Sequence, residues 1–78
     1  MPRYFFHLHN DLDVEDEEGA ELDDQAAAVE QAWQYAREMA AESVKEGCLD
    51  RRHYIELTGE GDFVSVRVTF GEAVKIVG

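Results

Sequence analysis

The chain has 78 residues, of which 45% are hydrophobic, and carries a formal net charge of -11. These values predict one domain with a small core and exclude wholesale disorder. The negative charge disfavours nucleic acid and anionic membranes as partners, and it favours basic proteins or cations. The lone cysteine, Cys48, excludes an internal disulfide. With no membrane-spanning run and no signal-peptide pattern, we expect a cytoplasmic protein.

The chain opens with a predicted β-strand over residues 1–10, rich in aromatic residues that favour strands. Because side chains alternate along a strand, Tyr4, Phe6 and Leu8 share one face, which we assign to the core. The opposite face then carries the odd-numbered side chains Arg3, Phe5, His7 and His9.

An acidic stretch follows, in which we predict a short strand near residues 13–15 that pairs back on the first strand. A loop through Gly19 completes the stretch. The carboxylates suggest a calcium loop, but counting from Asp11 the sixth position is Asp16 where glycine is required, and the twelfth is Leu22 where glutamate is required. The stretch is therefore interpreted as a solvated loop that protects a sheet edge.

The longest predicted element is an amphipathic helix over residues 24–46. Asp23 and Asp24 stand where an N-cap belongs, and Gly47 suits the left-handed position that ends many helices. Trp33 is expected to anchor the helix on a sheet, because it is the one large residue on the apolar face. That face recurs at three- and four-residue steps through Val29, Ala32, Trp33, Ala36, Ala40 and Ser43.

Two more strands are predicted after the helix, over residues 53–58 and 63–70, joined by a glycine-rich hairpin loop at 59–62. A turn or a single helical turn follows at 71–73. One helix can cover only one face of such a sheet, so the pattern predicts a two-layer α+β domain with ββαββ order and mostly antiparallel strands. The order of the strands within the sheet stays open.

Several segments resemble a family of very small bacterial proteins of unknown function. The opening heptapeptide Met1-Pro2-Arg3-Tyr4-Phe5-Phe6-His7 carries most of this resemblance. The loop Asp16-Glu17-Glu18-Gly19, the Ala-rich helix and the closing valine strand also fit, so the resemblance covers nearly the whole chain. It implies a compact stand-alone domain, and it implies no reaction, cofactor or catalytic residue.

His7 and His9 lie two residues apart on the first strand, so both side chains point to the same face. Two imidazoles at that spacing could ligate zinc or copper, with Glu56 or Asp11 as a third ligand. A fourth ligand is not apparent. A metal- or small-ligand-binding regulatory protein using His7 and His9 is therefore the alternative reading of the function, and no metal site or cofactor is predicted.

No pattern typical of an enzyme is present. Cys48 could serve as a nucleophile only with a base such as His53 within hydrogen-bond reach, and a lone cysteine after a helix is more often a filler. The glycines at 59–61 flank an acidic residue, which would repel phosphate. We therefore predict no catalytic residues and a non-enzymatic protein.

The uncovered face of the sheet is the strongest functional signal. Aromatic residues and arginine together on a flat sheet are typical of interface cores. The sequence predicts a small acidic interaction module that forms a homodimer through this face, with a basic protein as a further possible partner. The predicted surface consists of Phe5, His7, Tyr54, Phe63 and Arg67.

Overall fold

The computed structural model describes residues 2–60 and 65–77. Its elements follow the chain as β1 (Arg3–His9), β2 (Asp13–Val14), β3 (Ala20–Glu21), α1 (Gln25–Lys45), β4 (Tyr54–Gly59), β5 (Ser65–Thr69) and α2 (Phe70–Ala73). An antiparallel sheet packs against one long helix, so the predicted α+β class is confirmed. Among the described residues, no helix has both the length and the apolar character that crossing a membrane requires.

The sheet has the order β2-β1-β4-β5, and β3 also pairs with β1. The two short strands occupy the same edge of β1, with Leu8 opposite Val14 and Tyr4 opposite Ala20. The strand β3 is absent from the sequence prediction, which placed a loop there. Two residues are too few to show alternation, so only the tertiary pairing defines this strand. Part of the predicted loop at 59–62 and the start of the last predicted strand lie outside the described residues.

The caps of α1 follow the sequence prediction. The Asp24 carboxylate accepts a hydrogen bond from the Ala27 N–H at 2.9 Å. Gly47 has a φ of 95°, and the Cys48 N–H donates to the Ser43 carbonyl at 3.1 Å. This pattern is a Schellman motif, in which a left-handed glycine allows the last carbonyls to be satisfied.

The buried side of α1 is made of alanines, and the prediction that Trp33 anchors it is wrong. The fully buried helix residues are Ala28, Ala32, Ala36 and Ala40. Trp33 lies half-buried at the edge of this row, with the guanidinium of Arg37 5.9 Å from its ring centre. Small side chains allow the helix to lie close to the sheet, so the large core residues come from elsewhere, namely Leu57, Val68 and Phe70.

The core face of β1 confirms the predicted alternation, although its burial is uneven. Tyr4 is 6% exposed, whereas Phe6 and Leu8 are only half-buried. The helix lies mainly over β4 and β5, and Tyr35 reaches β1 by packing edge-on against Phe6 with ring centres 4.9 Å apart.

Candidate functional site

The face of the sheet opposite α1, called the outer face below, is left uncovered by the described elements. Strand pairing aligns side chains from three strands into rows across it. The predicted surface residues Phe5, His7, Tyr54 and Arg67 all lie on this face, while Phe63 lies outside the described residues. The three rows are Phe5–Thr58–Ser65, His7–Glu56–Arg67 and His9–Tyr54–Thr69.

His9 is the most connected side chain of the outer face. Its Nδ1 lies 2.9 Å from a carboxylate oxygen of Asp13, and its Nε2 lies 3.0 Å from one of Glu56. The ring stacks on Tyr54 at a centroid distance of 4.6 Å, and the Arg67 guanidinium lies 4.3 Å from the Tyr54 ring centre. A continuous stack of imidazole, phenol and guanidinium therefore crosses all three long strands.

Two opposing effects set the pKa of His9. Partial burial of the ring lowers the pKa, but the hydrogen bonds and charges of Asp13 and Glu56 outweigh burial and raise it above its ordinary value of 6.5. The His9 ring is held between two carboxylates, and these contacts join β2 to β4 across β1.

His7 is held differently, by neutral groups. Its Nδ1 accepts a hydrogen bond from the Asp16 N–H at 3.1 Å, so the ring proton is on Nε2 and is donated to the Thr58 hydroxyl oxygen at 3.1 Å. The ring also lies roughly parallel to that of Phe5, with centroids 6.4 Å apart.

The ring nitrogens of His7 and His9 are thus occupied by protein groups. Asp11 was considered above as a third metal ligand, but its Oδ1 lies 3.6 Å from the Nε2 of His53. Glu56 binds the Nε2 of His9, while Asp13 binds its Nδ1. Within residues 2–60 and 65–77, no three His, Cys, Asp or Glu side chains are grouped so that they could hold a metal ion.

Asp16 fills the gap between the two short strands on the edge of β1. One carboxylate oxygen accepts from the Phe6 N–H at 3.1 Å, and the other accepts from the N–H groups of Glu18 and Gly19. Gly19 has a φ of 70°, and a Cβ there would lie 2.8 Å from the Tyr4 carbonyl oxygen. Partial burial raises the pKa of Asp16, but the three N–H donors prevail and lower it below its ordinary value of 3.8. The Asp16 side chain therefore supplies the hydrogen-bond acceptor that a paired strand would otherwise supply to this edge of β1.

Cys48 and His53 do not form the catalytic pair that the sequence left open. Cys48 is exposed after the end of α1. The ring of His53 packs edge-on against Phe70 at 5.8 Å, and its Nε2 lies 3.5 Å from a carboxylate oxygen of Asp50. The contacts of His53 are thus with the core and with acidic side chains.

Sequence reasoning identified the residues of the outer face but missed two roles. His9 was considered only as a metal ligand, although its place opposite Tyr54 makes it the centre of the ring stack. Asp16 was grouped with the other loop carboxylates. The sequence feature that could have revealed the role of Asp16 is the glycine three residues later. A glycine there allows the aspartate side chain to accept hydrogen bonds from the backbone N–H groups that follow it.

The shifted pKa values of His9 and Asp16 predict a window of highest stability in mildly acidic solution. The raised pKa of His9 contributes stability that is complete below pH 6.5 and is lost as pH rises through that pKa. The lowered pKa of Asp16 contributes stability that is complete above pH 3.8 and is lost as pH falls through that pKa. Urea unfolding at a series of pH values should therefore show wild type losing on the order of 1 kcal/mol or less between mildly acidic and mildly alkaline solution.

The control for this pH prediction is His9→Gln, which retains a hydrogen-bonding side chain and cannot titrate. Its stability should change less than that of wild type across the same alkaline range. Parallel curves for the two proteins would contradict the assigned role of His9.

Residues 3–71 match the family model of a domain of unknown function, DUF6894. The chain belongs to this family. The predicted membership of a family of small proteins without an assigned function is thereby confirmed. This DUF6894 domain matches no curated protein and no solved structure. Its function is therefore argued from the geometry of its surfaces.

Proposed function

We propose that this DUF6894 domain is a non-enzymatic interaction module that binds a second copy of itself through the outer face. One observation carries the proposal: the rings of Phe5, His7, His9 and Tyr54 and the guanidinium of Arg67 lie together on an uncovered sheet surface. Aromatic residues and arginine are enriched in interface cores because they bury large areas while keeping a polar contact.

The charges on the outer face favour a second copy as the occupant. Arg3 pairs with Glu21 at 3.2 Å, His9 is held by two carboxylates, and Arg67 lies in register with Glu56. Positive and negative groups are thus balanced here, although the whole chain carries a charge of -11. A twofold axis through this face would join two nearly neutral surfaces.

The hydrogen bonds on this face support binding in preference to catalysis. Both ring nitrogens of His7 and of His9 are held by other side chains or by backbone. A general base or nucleophile needs an unoccupied atom aimed at a substrate. An arrangement that locks its own imidazoles in place instead gives a rigid surface, which loses little conformational entropy on association.

The size of the face sets the expected strength of the dimer. The contributing strands have seven, six and five residues, which is small for a stable interface. We expect a dissociation constant in the micromolar range. Because the copies carry like charge, the dimer should tighten when salt is added.

Sedimentation equilibrium of wild type and Phe5→Asp tests this proposal. Phe5→Asp places a carboxylate in the contact and should weaken the dimer at least about tenfold, leaving a folded monomer. The matched control is Val44→Asp, which introduces the same charge at a 58% exposed valine on α1. This control should dimerise like wild type.

Circular dichroism establishes that each variant is folded, and Arg67→Glu is a second test at an exposed position of the outer face. A wild-type chain that sediments as a monomer at high micromolar concentration and moderate salt would overturn the self-association. Equal weakening by Phe5→Asp and Val44→Asp would show that added charge, and not the outer face, controls the dimer.

The proposed location is a reducing compartment such as the cytoplasm. Cys48 is exposed and is the only cysteine in the chain. A free surface thiol is compatible with a reducing environment, and in an oxidising one it would tend to form disulfides with other molecules.

A further inference from the structure

The helix leaves one corner of the core-side sheet face without cover. It lies over β4 and β5, whereas the outer edge of the sheet is formed by β1 and β2. A helix is about 10 Å wide and neighbouring strands lie about 4.8 Å apart, so one helix covers about two strands. The remaining strands offer room for one more helix beside α1.

The uncovered corner is apolar. We call it the open corner and define it by Phe6, Leu8, Val14, Tyr35 and Met39. Val14 lies directly opposite Leu8 on the core-side face and is 52% exposed. Between Phe6 and the helix residues Tyr35 and Met39 lies a cleft of about 190 Å³. Large exposed aliphatic residues beside a cleft are typical of a binding surface in a soluble domain.

The chain segment that leads to the open corner is strongly negative. Asp16 lines the cleft, and it belongs to residues 11–18, which contain six acidic residues and no basic one. No lysine or arginine occurs in the sequence between Arg3 and Arg37. The Arg3 guanidinium is already bound to the Glu18 carbonyl and the Glu21 carboxylate. Positive charge in a partner would therefore be attracted to this segment.

We propose that the open corner binds a basic amphipathic helix of another protein, which lies beside α1 and completes the helical layer. Its apolar stripe would fill the cleft and cover Leu8 and Val14, and its lysine or arginine side chains would meet the acidic segment. This mode is the binding of a helix in a groove. A second copy of α1 does not fit, because the exposed side of that helix carries Glu30 and Glu38.

This site is separate from the outer face, since Val14 and Phe6 point to the α1 side of the sheet. The two proposals can therefore fail independently. Phe5→Asp, which tests the dimer, should leave binding at the open corner within about twofold of wild type.

The probe is a fluorescein-labelled peptide of leucine and lysine, about 18 residues long, with leucine at the three- and four-residue spacing of a helix face. Its binding to the full chain is followed by fluorescence anisotropy at moderate salt. One control peptide has the same composition with leucine and lysine in strict alternation, and a second replaces lysine by glutamate. The helical basic peptide should bind at least about tenfold tighter than either.

Val14→Lys places a positive charge in the open corner and should weaken binding of that peptide at least about tenfold. The matched control is Val44→Lys, at a valine of similar exposure on the far part of α1, and its affinity should stay within about twofold of wild type. Met39→Lys is the second variant, should Val14→Lys lose its circular dichroism signal. It changes a helix residue that lines the cleft.

Changes in the NMR chemical shifts of backbone amides during titration with the peptide map the binding site independently. Changes concentrated at Phe6, Leu8 and Tyr35 support the proposal. Equal affinity for the alternating peptide would overturn it, because binding would then depend on charge alone. Equal weakening by Val14→Lys and Val44→Lys would overturn it as well.

Discussion

Phe70→Ala is expected to lower the free energy of unfolding by about 3–5 kcal/mol, the usual cost of truncating a fully buried aromatic residue. Phe70 is 1% exposed and is the largest fully buried side chain among the described residues. It lies at the junction of β5 and α2, and its ring contacts His53. Urea unfolding followed by circular dichroism would measure the loss, which is a large fraction of the stability of a small domain.

The matched comparison is Trp33→Ala, an aromatic truncation at a half-buried position. It should cost only about 1–2 kcal/mol, because part of the Trp33 ring is already in contact with water. A larger loss for Trp33→Ala than for Phe70→Ala would restore Trp33 as the anchor and contradict the observed core.

Asp16→Ala should lower the free energy of unfolding by about 2–4 kcal/mol. The substitution removes the acceptor for three backbone N–H groups, and each bond to a charged group contributes more than a neutral one. The exposed neighbour Glu17 is the control, and Glu17→Ala should change stability by less than about 0.5 kcal/mol. Asp16→Asn keeps one carbonyl oxygen and should fall between the two. Similar losses for Asp16→Ala and Glu17→Ala would show that the loop carboxylates are interchangeable.

Alternation and capping made most of the architecture predictable. The row Tyr4, Phe6, Leu8 was assigned to the core from its spacing alone, because a strand with one buried face admits a single pattern. The pair Asp23 and Asp24 and the glycine Gly47 marked the ends of α1 for equally local reasons, and Asp24 is the residue that caps the helix. Features that depend on neighbouring residues in the chain are those that a sequence can reveal.

Features that depend on distant residues were missed. The prediction that Trp33 anchors α1 assumed that a large residue lies at the centre of the apolar helix face. The helix lies close to the sheet, and the centre of that face is therefore made of alanines. The pairing of β3 with β1 depends on tertiary contact over two residues. The position of His9 between Asp13 and Glu56 required the strand register, which joins residues from distant parts of the chain. The comparison with known families adds no role for any of these residues.

The pairing of β1 with β4 has a consequence for how the chain is made. His7 lies opposite Glu56, so β1 leaves the ribosome about fifty residues before its principal partner, β4. During that interval of several seconds, its aromatic residues have no sheet to join. The acidic segment at residues 11–18 leaves the ribosome directly after them and keeps the nascent chain strongly negative. It can therefore act as a gatekeeper against aggregation before any fold exists.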